Sequence, residues 1–143
     1  MLASMRPLPL IALLLCAAGP AAAQSVFDRA AGLYGDATDP ALSCTANPHR
    51  LSFIDSPPHA FFTWTEPAPD PLGRMRSVDR YDLEGATDTT LLLEQDGSPE
   101  RTAEGRRPLW ILRLTVDGYC WGRQDWPLIR CERPQIRCDQ PVS

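Results

Sequence analysis

From Leu109 to Arg123 the chain spells out an antiparallel β-hairpin, and that segment constrains the fold more than any other. Trp110, Leu112, Leu114 and Val116 alternate with Ile111, Arg113 and Thr115, the period of a strand with one face inward. Asp117-Gly118 follows, a dipeptide suited to a tight hairpin turn. Tyr119 and Trp121 then share a face of the returning strand.

Other strand signals recur at turn-marked intervals. Leu51-Ser52-Phe53 alternates, Ser56-Pro57-Pro58-His59 turns, and Ala60, Phe62 and Trp64 fall on one face. Glu66 to Gly73 holds Pro67, Pro69 and Pro71 and reads as a connector. Val78 to Leu83, with Tyr81 and Leu83 inward, and Thr89 to Gln95 make two more strands. Glu100 to Arg107 reads as a polar edge strand. Upstream, Ser25 and Asp28 form a weak capping box, and Val26, Ala30 and Leu33 lie on one helical face. Gly35 suits the end of that helix. The expectation is a mainly β fold: an antiparallel meander, open or closed into a small up-and-down barrel, with one short N-terminal helix.

The start of the chain reads as a secretory signal. Arg6 is followed by the apolar run Leu8 to Ala18, the helix breaker Gly19-Pro20 and the small residues Ala21-Ala22-Ala23. The run is too short to anchor in a bilayer, which needs about 20 residues. Residues 1–23 are thus expected to be removed, leaving 24–143 as one domain in the periplasm or outside the cell. Cys16 is preceded by Leu13-Leu14-Leu15, which does not fit a lipid-attachment site.

Four cysteines remain beyond the signal: Cys44, Cys120, Cys131 and Cys138. An even number in an exported domain reads as two disulfides. Three pairings are possible. The preferred one joins Cys44 to Cys120 and Cys131 to Cys138, the latter closing a short loop around Pro134. Residues 126–143 are then expected to be an irregular stapled tail.

Charge is uneven. Residues 24–100 hold five Arg and thirteen acids, whereas 101–143 hold eight Arg and five acids. An acidic chain is a poor general binder of nucleic acid, which demands neutralised phosphates. The simplest reading is that the two segments pack together and complement each other. A sharper one is a basic C-terminal patch of Arg123, Arg130, Arg133 and Arg137.

Catalytic and metal signatures are lacking in the pattern. His49 and His59 fall in proline-containing turns and read as solvated. No Gly-x-Ser-x-Gly elbow, phosphate-cradling loop or Cys-x-x-Cys pair is present. Acid pairs such as Asp79/Asp82 or Glu94/Asp96 read as solvated strand-end groups. No catalytic residue, metal site or cofactor is therefore assigned. The densest chemistry lies in Tyr119 to Pro127. Trp121 reads as a core member, and Arg123, Asp125 and Trp126 as a candidate contact surface, since Trp and Arg dominate binding hot spots.

Leu33-Tyr34-Gly35, Asn47-Pro48-His49, Phe62-Thr63-Trp64 and Tyr119-Cys120-Trp121 with Asp125-Trp126-Pro127 resemble short exported proteins of alphaproteobacteria. That resemblance implies an exported single domain and brings no activity with it. Gly32-Leu33-Tyr34 also resembles the Gly-x-Trp opening of lipocalin-like barrels, with Tyr in place of Trp and with Cys44 where a long first strand would run. The functional expectation is a non-catalytic exported module contacting a protein partner. The alternative is a lipocalin-like carrier of a small apolar ligand.

Overall fold

A computed structural model describes residues 25–55, 58–70, 72–127 and 131–138. The first 24 residues, on which the signal reading rests, and Arg130 of the basic patch lie outside them.

Eight antiparallel strands close into a barrel in which each strand pairs with its sequence neighbours and the last returns to the first. They are β1 (Gly32–Asp36), β2 (His49–Asp55), β3 (Pro58–Pro69), β4 (Met75–Ala86), β5 (Thr90–Gln95), β6 (Leu109–Leu114), β7 (Gly118–Arg123) and β8 (Glu132–Arg137). One helix, α1 (Val26–Ala30), precedes them, with Ser25 accepting from the Asp28 amide as its cap. Closure is completed by the pairing of Tyr34, Gly35 and Asp36 with Arg137, Ile136 and Gln135. A closed barrel leaves no edge strand open to aggregation.

The meander is thus a barrel, and several elements differ from the sequence reading. The helix stops at Ala30 and the chain becomes extended. Leu33 and Tyr34 are claimed instead by the ladders to β2 and β8, because two rows of sheet hydrogen bonds outweigh one more helical turn. Gly32 permits that change of course with a φ of 158°, a backbone conformation that residues with side chains rarely adopt. The Arg137 guanidinium lies 5.0 Å from the centre of the Tyr34 ring, so the first and last strands are also clasped by a cation–π contact.

Strand β3 runs through Pro67 and Pro69 rather than ending before them. Its ladder with β4 breaks after Thr63 and resumes at Ala68, so the prolines sit at an irregularity where missing N–H groups are tolerated. Residues 100–107 form loop turns and no strand. Val116 lies in the β6–β7 turn, 94 % exposed, so the inward face of that hairpin stops at Leu114.

The irregular tail is corrected most. Glu132–Arg137 is a strand that seals the barrel. The pairing is corrected too: Cys44 bonds Cys138 and Cys120 bonds Cys131. Once β8 lies between β7 and β1, Cys131 arrives beside Cys120 at the β7–β8 seam. Cys138, just past β8, meets the β1–β2 loop that carries Cys44.

Inward positions define two halves. At one end Leu51, Ala60, Leu91, Leu93 and Leu112 are fully buried with Val26 and Ala30 of α1 packed beneath them. Phe27 meets Phe53 edge-on at 5.3 Å, and the Arg29 guanidinium donates to the Asp88 carbonyl across the same end. The helix is therefore a plug. At the other end, where β1, β3, β5 and β7 finish and the even strands begin, the inward residues are aromatic and polar.

Candidate functional site

That second end is hollow. A cavity of about 270 Å³ opens among the inward residues of all eight strands. Its walls include Trp64, Trp110, Trp121 and Trp126, every tryptophan of the chain, together with Phe62, Tyr81 and Tyr119. Alternation within each strand places them: Phe62 and Trp64 on β3, Tyr81 on β4, Trp110 on β6, Tyr119 and Trp121 on β7. The rings form a connected set. Phe62 lies 5.2 Å from Tyr81 and 5.3 Å from Trp121, while Tyr81 stacks on Trp121 at 5.6 Å. Trp110 bridges Trp121 and Trp126 edge-on, at 6.0 Å from each.

One wall is polar and satisfied. Asp36 Oδ1 accepts from the Thr38 amide and hydroxyl and from the Asp39 amide. Its Oδ2 accepts from Arg133 at 2.7 Å and 3.0 Å and from Gln135 at 3.3 Å. Burial would raise this carboxyl, but the bonds from Thr38 and Gln135 and the Arg133 charge hold it below the usual range. His49 sits deeper, 4 % exposed, with Nε2 2.6 Å from the Tyr119 hydroxyl. Burial lowers its pKa to about 4 against the opposing pull of Asp36, so the ring is neutral at pH 7. Burial likewise drives the Tyr119 hydroxyl well above its ordinary value.

The solvated-turn reading of His49 is thus wrong: the residue starts β2 in phase with Leu51 and points inward. His59 lies on β3 with Nδ1 2.8 Å from Asp82 Oδ1 on the neighbouring strand. The two histidines do not share a site, and among the described residues no group of three His, Cys, Asp or Glu could hold a metal ion.

Arg123, Asp125 and Trp126 come together at the rim of the hollow end. Arg123 donates to both Asp125 oxygens at 2.9 Å and 2.8 Å and lies 3.5 Å from Glu100. Its guanidinium is 5.2 Å from the Trp110 ring and 5.8 Å from the Trp126 ring. Only 14 % of the Arg123 side chain is exposed, so its charge is turned inward on the protein's own rings and acids. Asp125 remains exposed, and Trp126 is both rim and cavity wall. Arg133 and Arg137 are engaged by Asp36 and Tyr34. Those contacts, with Arg107 to Glu94 and Arg123 to Glu100, show the basic segment complementing the acidic one.

Sequence reasoning missed Asp79, Asp36 and Gln135 as cavity residues. For Asp79 the signal was present, since it lies two residues before inward Tyr81 on the same strand. No known protein family, curated protein or solved structure matches the chain. Among the described residues no helix is long and apolar enough to cross a membrane.

Proposed function

We propose that this protein is an exported, non-catalytic barrel that binds a small planar ligand in its hollow end. The carrying observation is that all four tryptophans of the chain wall one cavity. A barrel that needed only stability would fill its interior with interdigitating side chains, as this one does at its plugged end. The volume supports the reading. A cavity of about 150 Å³ is enough for benzene, so one of 270 Å³ suits a ligand of two fused rings. The mixture of ring faces and a few oriented polar groups is what small-molecule sites are made of. Export is supported by the two disulfides, which persist in oxidising compartments.

In this reading Arg123, Asp125 and Trp126 form the mouth, with Arg123 bracing two tryptophans. Calorimetric titration with 2-naphthol is the test. One molecule is expected to bind per chain and to change the tryptophan fluorescence, and Trp121→Ala should weaken binding at least about tenfold. If no one- or two-ring compound binds tighter than about 1 mM, the cavity reading fails. Capture of a protein partner that depends on Arg123 and Trp126 would then favour the contact-surface reading.

A further inference from the structure

We propose that the cavity is built for an organic cation, a protonated amine carried on an aromatic ring system, with Asp79 as its counter-ion. This rests on the ligand-binding reading above and adds the charge class.

Three acids line the cavity: Asp36, Asp70 and Asp79. Two are spoken for. Asp36 accepts from Thr38, Asp39, Arg133 and Gln135. Asp70 accepts from the Leu72 and Arg74 amides and from the Arg74 guanidinium at 2.7 Å. Asp79 is different. It opposes Phe62 across the β3–β4 ladder, its side chain is 12 % exposed, and its buried Oδ1 has no hydrogen-bond partner among the described residues. Arg76 Nε stands 3.5 Å from that oxygen, close enough for attraction but not hydrogen-bonded. Burial keeps this carboxyl above its ordinary pKa despite Arg76 and a side-chain hydrogen bond from Gln95. A buried carboxylate oxygen without a donor is a costly arrangement unless a partner arrives, even where Gln95 and Arg76 support the rest of the group.

The other nearby cations are committed. Arg133 is held by Asp36, Arg123 by Asp125 and Glu100, and Arg74 by Asp70. The neutral His49 adds no charge. Tyr81, two residues along the same face of β4, is nine-tenths buried. It lines the same cavity and stacks on Trp121. An ammonium group at Asp79 would donate to Oδ1 the charge-assisted bond that this oxygen lacks. The surrounding rings attract cations through their quadrupoles. An anion would be repelled by Asp79 and by the ring faces, and would have to win its binding from Arg76 Nη1 and the indole N–H groups of Trp64 and Trp110, which are buried without partners among the described residues.

Three probes of one ring system separate the cases: tryptamine, 3-methylindole and indole-3-acetate, titrated calorimetrically at pH 7. Tryptamine is expected to bind about tenfold tighter than 3-methylindole, and indole-3-acetate weaker than both. Asp79→Asn should erase the advantage of tryptamine while 3-methylindole binds as before. If the probes bind equally, or if folded Asp79→Asn keeps the preference, the cation assignment falls and the cavity reading stands. If none binds, both fall. Should Asp79→Asn fail to fold, the ranking of the three probes on the unaltered protein still decides.

Discussion

At the residue scale the most consequential group is His49. Its folded pKa of about 4 lies below the ordinary 6.5 because the ring is buried. A depressed folded value means the unfolded chain binds the proton first. Stability is therefore full above pH 6.5 and declines as pH falls toward 4. Between pH 7 and pH 5 the loss from this one group is about 2 kcal/mol. Urea unfolding at the two pH values should show it. A double variant, His49→Leu with Tyr119→Phe, removes the titration without orphaning either partner and should lose most of that dependence. The carboxylates held low, Asp36 among them, add their own loss only below about pH 4. His49 was legible in hindsight. It sits in phase with Leu51 and Phe53, but Pro48 before it made a turn the easier reading, and a histidine breaks an apolar pattern without leaving the inward face.

At the element scale, strands with apolar inner faces were readable and strands with polar ones were not. β3, β5, β6 and β7 show alternation because their inward residues are Leu, Phe, Tyr and Trp. The positions of β8 in phase with buried Gln135 are Arg133 and Arg137, and it contains Pro134. Its side chains serve Asp36 and Tyr34 rather than a hydrophobic core, so no periodicity announces it. Missing β8 also led to the wrong disulfide pairing, since the seams of a closed barrel decide which cysteines meet. The observed bonds differ in span, Cys44 and Cys138 being 94 positions apart in sequence and Cys120 and Cys131 only 11. On the chain-entropy account the long link contributes about 4–5 kcal/mol and the short one about 3 kcal/mol. Cys44→Ser with Cys138→Ser should therefore lower the urea midpoint more than Cys120→Ser with Cys131→Ser. Peptide mapping under non-reducing conditions should recover the Cys44–Cys138 link directly.

At the scale of the whole molecule, the barrel divides its labour between its ends. The plugged end is filled by aliphatic residues, and Leu51, Leu91, Leu93 and Leu112 have no exposed surface. The hollow end keeps a ring of tryptophans around empty volume. Closure of the sheet makes both possible, because eight strands enclose an interior that side chains can either fill or leave open for one small ligand. Substitutions at the two ends should then separate stability from binding. Leu112→Ala removes a side chain packed on all sides and should cost about 2–5 kcal/mol, with the affinity of the surviving folded protein for 2-naphthol little changed. Trp126→Ala, at the partly exposed mouth, should cost under about 1 kcal/mol and yet accelerate ligand release, read as a faster dissociation phase by stopped-flow fluorescence. If Trp126→Ala destabilised the barrel as strongly as Leu112→Ala, the aromatic end would be core like the other, and its volume would have no bearing on ligands. The expected separation follows from where each side chain sits: one is enclosed by the sheet and the helical plug, the other borders the opening.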